Sequence, residues 1–191
     1  AFSVNVTFSV FDDTFYYNFN ANSNNNSSST GSIGISASQL NNRLNWSVQQ
    51  AFTNQDQGSS GNINASYKGQ LGDITGGYSY SKDNHNFYYG VSGSVVAHSQ
   101  GVVFGQQLGE TAAIVDIPNA GDITILNQAG VRTNNSGYAL VPYVTPYRKN
   151  TVEIDTLRLP ENAEMELTSQ TVLPSRGALV NGNFSANVGY R

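Results

Sequence analysis

The sequence contains no cysteine, so neither a disulfide nor a thiolate metal site is open to it. Charge is scarce as well. Asp, Glu, Lys and Arg make up 12% of the 191 residues, about half the usual share. With a net charge of −4 and a pI near 4.9 there is no basic stripe to meet phosphates, which argues against nucleic acid. No apolar run approaches the roughly 18 residues of a membrane-crossing helix, and no segment carries helical spacing. There is no initiator Met and no signal-like start, since Ala1 opens straight into a strand pattern; the chain reads as a fragment or a trimmed product. His85 and His98 lie far apart without Asp, Glu or His at ligand spacing, so no metal site is expected. The GVSGS stretch has no strand-to-helix turn and no histidine partner, so it is no nucleophile elbow. Asn-x-Ser/Thr matches at Asn5, Asn64 and Asn183 are what an Asn/Ser-rich chain produces by chance. No catalytic residue is expected, and His85 reads as a loop residue.

What replaces the missing charge is Asn, Ser, Gly and Thr. Hydrophobic residues still reach 38%, with 11 Tyr and 9 Phe, which argues against disorder. From Phe2 to about Ala97 apolar and polar residues alternate. Phe2, Val4, Val6, Phe8 and Val10 share one face, and Ser3, Asn5, Thr7 and Ser9 the other. The same period of two returns in Phe15–Ala21, Ile33–Ala37, Leu44–Val48, Ile63–Tyr67, Ile74–Tyr80 and Phe87–Ala97, giving about seven strands. The polar face carries Asn18, Asn20, Asn45, Ser47, Asn62, Asn64 and Ser66 where a soluble sandwich would carry Lys and Glu. Repeated strands of this kind are the signature of a transmembrane β-barrel.

The connections agree. Asp12-Asp13, Gln39–Asn42 and Gly69–Gly72 are short, Ser23–Thr30 and Thr53–Ser60 are long, and Lys82–His85 is intermediate. Outer-membrane barrels alternate short periplasmic turns with longer outer loops in this way. Phe15, Tyr17, Trp46, Tyr78, Tyr80, Phe87 and Tyr89 are expected as membrane-interface aromatics. An aromatic-rich sheet core is the alternative reading of the same rings.

After about Gln106 charges return, and all five prolines lie in this half. Short β runs are expected at Ala112–Ile117, Asp122–Asn127, Tyr138–Val141, Thr151–Thr156, Glu164–Leu167 and Ala178–Val188, with Gly and Asn turns between them. The expected fold class is all-β: antiparallel transmembrane β-barrel strands over 1–105, then a small β-sandwich over 106–191.

Several local signatures then stand in order: YYGVSG (88–93), AHSQGV (97–102), LNQAGVRT (126–133), GYALVPYVTPYRKN (137–150), IDT (154–156) and PSRGA (174–178). Together they closely resemble the outer-membrane ushers of the chaperone–usher pathway, over essentially the whole chain. The resemblance implies the last strands of a large translocation barrel followed by the first periplasmic C-terminal domain. It also implies no cofactor and no nucleotide, and as partners periplasmic chaperone–pilus subunit complexes, pilus subunits and outer-membrane lipid. The family's N-terminal, plug and second C-terminal domains are not in this sequence, and the strands are far fewer than a family barrel holds. One copy is therefore expected to form an open sheet with two edges.

Within GYALVPYVTPYRKN, Pro142 is expected to end one strand and Pro146 to stiffen the crossing to the next. Tyr143 and Tyr147 are expected to bury their rings beneath that crossing with their hydroxyls left wet, and Arg148 to pair with a sandwich carboxylate such as Asp155. Arg132, Tyr143, Tyr147, Arg148 and Arg176 are the candidate contacts for a subunit and its chaperone, because Tyr and Arg are favoured at interface hot spots. A purely structural role for the elbow is the competing reading. For the whole chain the alternatives are a small eight-stranded barrel with a periplasmic domain, and an Asn/Ser-rich surface adhesin. The small Asn and Ser of the polar face favour a wide lumen over a narrow, side-chain-filled one.

Overall fold

The computed structural model describes residues 1–23, 29–54, 58–99, 101–118, 120–156, 163–165 and 168–188. It resolves two compact units: Ala1–Tyr67 with Ile74–Val91, and Lys68–Asp73 with Ser92–Arg191.

The first unit is a seven-stranded meander. Its strands are β1 (Phe2–Val10), β2 (Asp13–Ser23), β3 (Ser29–Gln39), β4 (Leu44–Thr53), β5 (Ser59–Lys68), β6 (Asp73–Ser81) and β7 (Asn84–Ser92), each beside its sequence neighbour. The period-two pattern dictates this: only strands of matching parity put every apolar side chain on one face. Register then stacks those residues in rows across β1–β5. Val4, Phe19, Ile33, Gln50 and Gly61 form one row, Val6, Tyr17, Ile35, Val48 and Ile63 the next, and Phe8, Phe15, Ala37, Trp46 and Ala65 a third. A row led by Phe2 lies beyond the first, and one led by Val10 beyond the last. Rows two residues apart are about 6.6 Å apart along a strand, so the band runs about 26 Å along the strands and, at a barrel tilt of about 40°, about 20 Å in height, somewhat less than the roughly 25 Å apolar band of an outer-membrane barrel. The connections at 11–12, 40–43 and 69–72 share one end of the sheet, and the chain leaves β7 at that end. The intermediate loop expected at Lys82–His85 is a two-residue turn, and His85 lies in β7, not in a loop. β1 and β7 are the two open edges.

The second unit is built of short sheets. β8 (Ser94–His98) and β9 (Gly101–Gly105) form a hairpin, and β10 (Ala112–Asp116) lies between β11 (Tyr138–Val141) and, in parallel, β15 (Leu179–Asn183). β12 (Asn150–Glu153) pairs with β14 (Ser169–Val172), and β13 (Ala163–Met165) with β16 (Ala186–Val188). Ala113 and Val115 point into a core with Ile117, Ile123, Ile125, Val141, Val152, Ile154 and Phe184. Ile114 points the other way, onto Leu140 and Val103 of β9. Both faces of β10 are therefore covered, which is why its sequence is a continuous apolar run instead of an alternating one. That packing brings β8 and β9, which composition groups with the preceding strands, into the second compact unit.

The run expected at Asp122–Asn127 makes only isolated bridges, Thr124 to Arg132 and Ile125 to Ile154. Its backbone turns instead on Thr133, whose hydroxyl donates to Ala120 O (2.9 Å) and accepts from Ile123 N (2.8 Å). The 178–188 run is split between β15 and β16, and residues 166–167 of the 164–167 run lie outside the described residues. The Lys68–Asp73 turn is held within this unit by amides. Gln70 Nε2 donates to Thr133 O (3.0 Å), and the buried Gln106 donates to Gly69 O (3.4 Å).

Candidate functional site

Three surfaces carry what chemistry the chain has. The polar face of the first sheet is built from rows such as Asn5, Asn18, Gly34, Gln49 and Asn62. Gly34 has a steric role there. A Cβ at this position would lie 2.9 Å from both amide heteroatoms of Asn18, so glycine lets that side chain lie across the strand. Two recesses of about 430 and 400 Å³ open on this face, the first lined by Asn18, Gln49, Asn62 and Ser79, the second by Thr14, Ser36, Asn45 and Ser66. Short amides and hydroxyls hydrogen-bond water as readily as each other, and they carry no charge with which to grip a passing chain.

On the apolar face the aromatics do not all gather at the ends. Phe15 and Trp46 stand in the same row near the short-turn end, and Phe15 stacks on Phe8 with centroids 5.3 Å apart. Tyr17 sits in the central row. Tyr78 and Tyr80, toward the other end, lie 6.5 Å apart, and Phe87 and Tyr89 lie 6.1 Å apart on β7. Sequence reading missed the polar partners of these rings. Trp46 Nε1 donates to Gln39 Oε1 (2.7 Å), whose amide nitrogen donates to Asp13 Oδ2 (3.2 Å). Tyr80 donates its hydroxyl to Gln50 and lays its ring over Gly61. Arg43 stacks on Tyr67, 5.1 Å from the centroid, and donates to its hydroxyl. The available signal was parity: Gln39 and Gln50 interrupt the apolar positions of their strands.

The third surface is the proline elbow. Pro142 is buried directly after β11, and Pro146 lies before β12. The tyrosine expectation fails here: Tyr143 is 62% exposed and Tyr147 71%. Asn150 fills the turn instead, bonding both N and O of Thr145 and the carbonyl of Arg148. Gly109 N donates to Pro142 O (2.8 Å) and Tyr147 N to Pro174 O (2.7 Å), so the loop is closed by its backbone and both rings are turned outward. Arg176 Nε meets Glu110 Oε1 at 2.7 Å, next to Gly109, on which the Tyr143 ring rests. Tyr143, Tyr147, Arg148 and Arg176 thus belong to one loop cluster. Arg132 does not: it pairs with Asp122 Oδ2 (3.0 Å). Arg148 is exposed and takes part in neither ion pair of the described residues, so its expected pairing with Asp155 is not formed.

One titratable cluster stands apart from these surfaces. His98 meets Tyr138 edge-on at 4.6 Å, and Tyr138 pairs with Asp116 across β10 and β11. Burial raises the Asp116 carboxyl above its ordinary range, and His98 partly offsets this. Tyr138 is raised too, by burial and then by the Asp116 charge. Among the described residues no group of three or more His, Cys, Asp or Glu is placed to hold a metal.

The family model described as outer membrane usher protein matches residues 1–184. The chain belongs to the outer membrane usher family. It is 42% identical over 149 residues to the Escherichia coli K12 usher YraJ, covering 78% of this chain and 18% of that protein. With FimD of the same strain it shares 41% over 166 residues (85% and 19%), and with LpfC of Salmonella typhimurium 38% over 160 (83% and 19%). This usher chain therefore spans about a fifth of the length of those relatives. In solved structures its fold matches a chain of the E. coli P pilus tip assembly intermediate PapC-PapD-PapK-PapG, seen by cryo-electron microscopy. The TM-score is 0.67 at 19% identity, covering 94% of this chain and 22% of that one. The fold class is all-β, with antiparallel barrel strands followed by a small β-sandwich. The location is the outer membrane, with the C-terminal unit in the periplasm.

Proposed function

We propose that residues 1–105 supply the last strands of an usher's translocation barrel and residues 106–191 its first periplasmic C-terminal domain. The whole protein receives chaperone–subunit complexes, supports donor-strand exchange between subunits and passes the growing fibre through its pore. The observation that carries this is the chemical opposition of the two faces of the sheet. One presents apolar rows to lipid, and the other presents neutral Asn and Ser to a wide lumen. Strand addition to a sheet edge gives exchange its direction without any nucleotide. The elbow cluster of Tyr143, Tyr147, Arg148 and Arg176 is the surface on this domain that contacts the most recently added subunit or its chaperone. Its two tyrosines are exposed although they stand beside buried prolines, which suits a contact surface better than a packing element.

The test is deletion of residues 106–191 from the usher that carries this chain, with confirmation that the barrel still reaches the outer membrane and a count of surface fibres. Loss of fibres with the barrel in place is expected. Undiminished fibre output would reduce the domain to a structural appendage.

A further inference from the structure

The proline elbow has features that its own packing does not ask for. Tyr147 adopts φ 58, a left-handed conformation that glycine or asparagine takes at less cost, and its ring is exposed. Asn150 and the bond from Tyr147 N to Pro174 O (2.7 Å) already close the turn, so the ring has no part in holding it. Across that bond Leu173 is exposed too, although Val172 and Pro174 on either side of it are buried. A strained residue whose side chain stands in water is a feature of functional surfaces. The charges of the two loops have one sign: residues 142–150 and 173–178 hold Arg148, Lys149 and Arg176 and no acid. Glu153 and Asp155 lie at the far end of β12 and past it, where their backbones bond to Leu126 and Thr124. Among the described residues the acid that meets the cluster is Glu110, with Oε1 2.7 Å from Arg176 Nε. The buried Thr111 places it. Its hydroxyl accepts from Gly177 N (3.0 Å) and its carbonyl from Val144 N (3.1 Å), so the 110–111 segment ties both loops together. The side chains of Glu110 and Arg176 are each more than 60% exposed and touch through one guanidinium nitrogen, a pair that is weak in water and readily exchanged.

We infer that this patch binds an acidic segment of the chaperone, and that Glu110 stands in for that segment's carboxylate until it arrives. The inference rests on the reading of the elbow as the contact surface of this domain. A guanidinium can take a carboxylate through two parallel N–H bonds, so an incoming Asp or Glu that engages the fork of Arg176 gains over the single Nε bond of Glu110. Tyr143, Tyr147 and Leu173 supply the apolar ground beside that charge. The chaperone is the source that fits. A subunit goes on into a lumen faced with neutral Asn and Ser, and a charged grip on it would have to be broken at each step. The chaperone stays in the periplasm, and exposed ionic contacts let it go. An anionic leaflet matches less well, since the three cations here fall short of the roughly four to eight of a lipid-binding cluster.

The test introduces Tyr147→p-benzoyl-phenylalanine into the detergent-solubilised usher carrying this chain. The usher is photo-cross-linked to the purified chaperone–subunit complex of the same assembly system, and the joined peptides are mapped by mass spectrometry. The expected product links position 147 to a chaperone peptide rich in Asp and Glu. Its yield is expected to fall about threefold in Arg176→Gln, the size of one exposed ion pair, and to fall in the unsubstituted usher at high salt. Glu110→Gln is expected to raise the yield about twofold, a gain that neither unfolding nor the loss of a merely structural ion pair produces. A cross-link whose yield ignores Arg176, Glu110 and salt overturns the acidic partner while leaving the elbow as a contact surface. A cross-link to the subunit alone, or to lipid, overturns the choice of partner. No cross-link to either protein would instead remove the elbow from the contact surface, a failure of the underlying reading.

Discussion

Gly137 offers a test of the second unit that separates two physical terms. It closes the Asn134–Tyr138 turn with φ +87, and its carbonyl accepts from Ile117 N at 2.9 Å. A Cβ there would lie 2.0 Å from the Ile117 carbonyl oxygen and 2.8 Å from its carbon, both backbone atoms that no rotamer change can move. Gly177 has a similar φ of +75, but nothing lies within 4 Å of where its Cβ would go. Gly177→Ala therefore costs only the left-handed conformation, about 1 kcal/mol. Gly137→Ala adds the overlap, which is relieved only by parting Ile117 from the turn and losing a hydrogen bond worth about 1 kcal/mol, plus the shift of a fully buried isoleucine. The total is about 3 kcal/mol, or roughly a hundredfold in an opening equilibrium, against roughly fivefold for Gly177→Ala. The single Trp of the chain, Trp46, is in the other unit, so its fluorescence does not report on this one. Amide hydrogen exchange of Val115, Ile117 and Leu140 in the solubilised usher does. Protection falling equally in the two variants, or by less than about tenfold in Gly137→Ala, would show that the turn relaxes freely and that the steric argument is wrong.

Two further outcomes follow from the same geometry. Asp116 has a carboxyl raised by burial, so its ionisation opposes folding: the stability it contributes is complete below the ordinary carboxylate range and is lost as pH rises through the raised value. Asp116→Asn should flatten that dependence and leave exchange protection of β10 at neutral pH equal or higher; lower protection would mean that His98 stabilises the ionised acid more than burial destabilises it. Tyr143→Ala combined with Tyr147→Ala removes two rings that are more than 60% exposed, so exchange protection should change little, within about 0.5 kcal/mol, while fibre output falls. Full fibre output in cells with normal usher levels would remove the elbow from the contact surface.

How much of this was legible beforehand differs between the halves. Over residues 2–92 the alternation of apolar and polar residues set out seven strands and their two faces, because a strand places successive side chains on opposite sides whatever surrounds it. The run Phe87–Ala97 that reads as one strand is, however, divided between β7 and β8, since β8 turns to pair with β9. The usher resemblance likewise rested on contiguous residues: LNQAGVRT, GYALVPYVTPYRKN and PSRGA can be read in one dimension. Pro142 ending β11 was equally local.

What needed the tertiary structure was everything set by neighbours distant in sequence. Parity shows that Gln39 and Gln50 break the apolar face, but only register puts Trp46 beside one and Gly61 beside the other. The Asp122–Asn127 run has strand composition, yet Thr133 captures its backbone and leaves isolated bridges. The β10 run is apolar on both sides because Val103, about ten residues earlier in the chain, covers the face that the main core does not. Asn150 took the interior of the elbow and left Tyr143 and Tyr147 outside, since an amide can satisfy three backbone groups that a ring cannot. Arg148 lost its expected partner for a related reason: ion pairs depend on which side chains the fold brings within reach, and charge spacing along the chain does not encode that. The sequence alone determined most strands of the first unit and their faces, a local property of the backbone. The fold decided which groups satisfy one another, because buried hydrogen bonds and contacts are made across the chain and not along it.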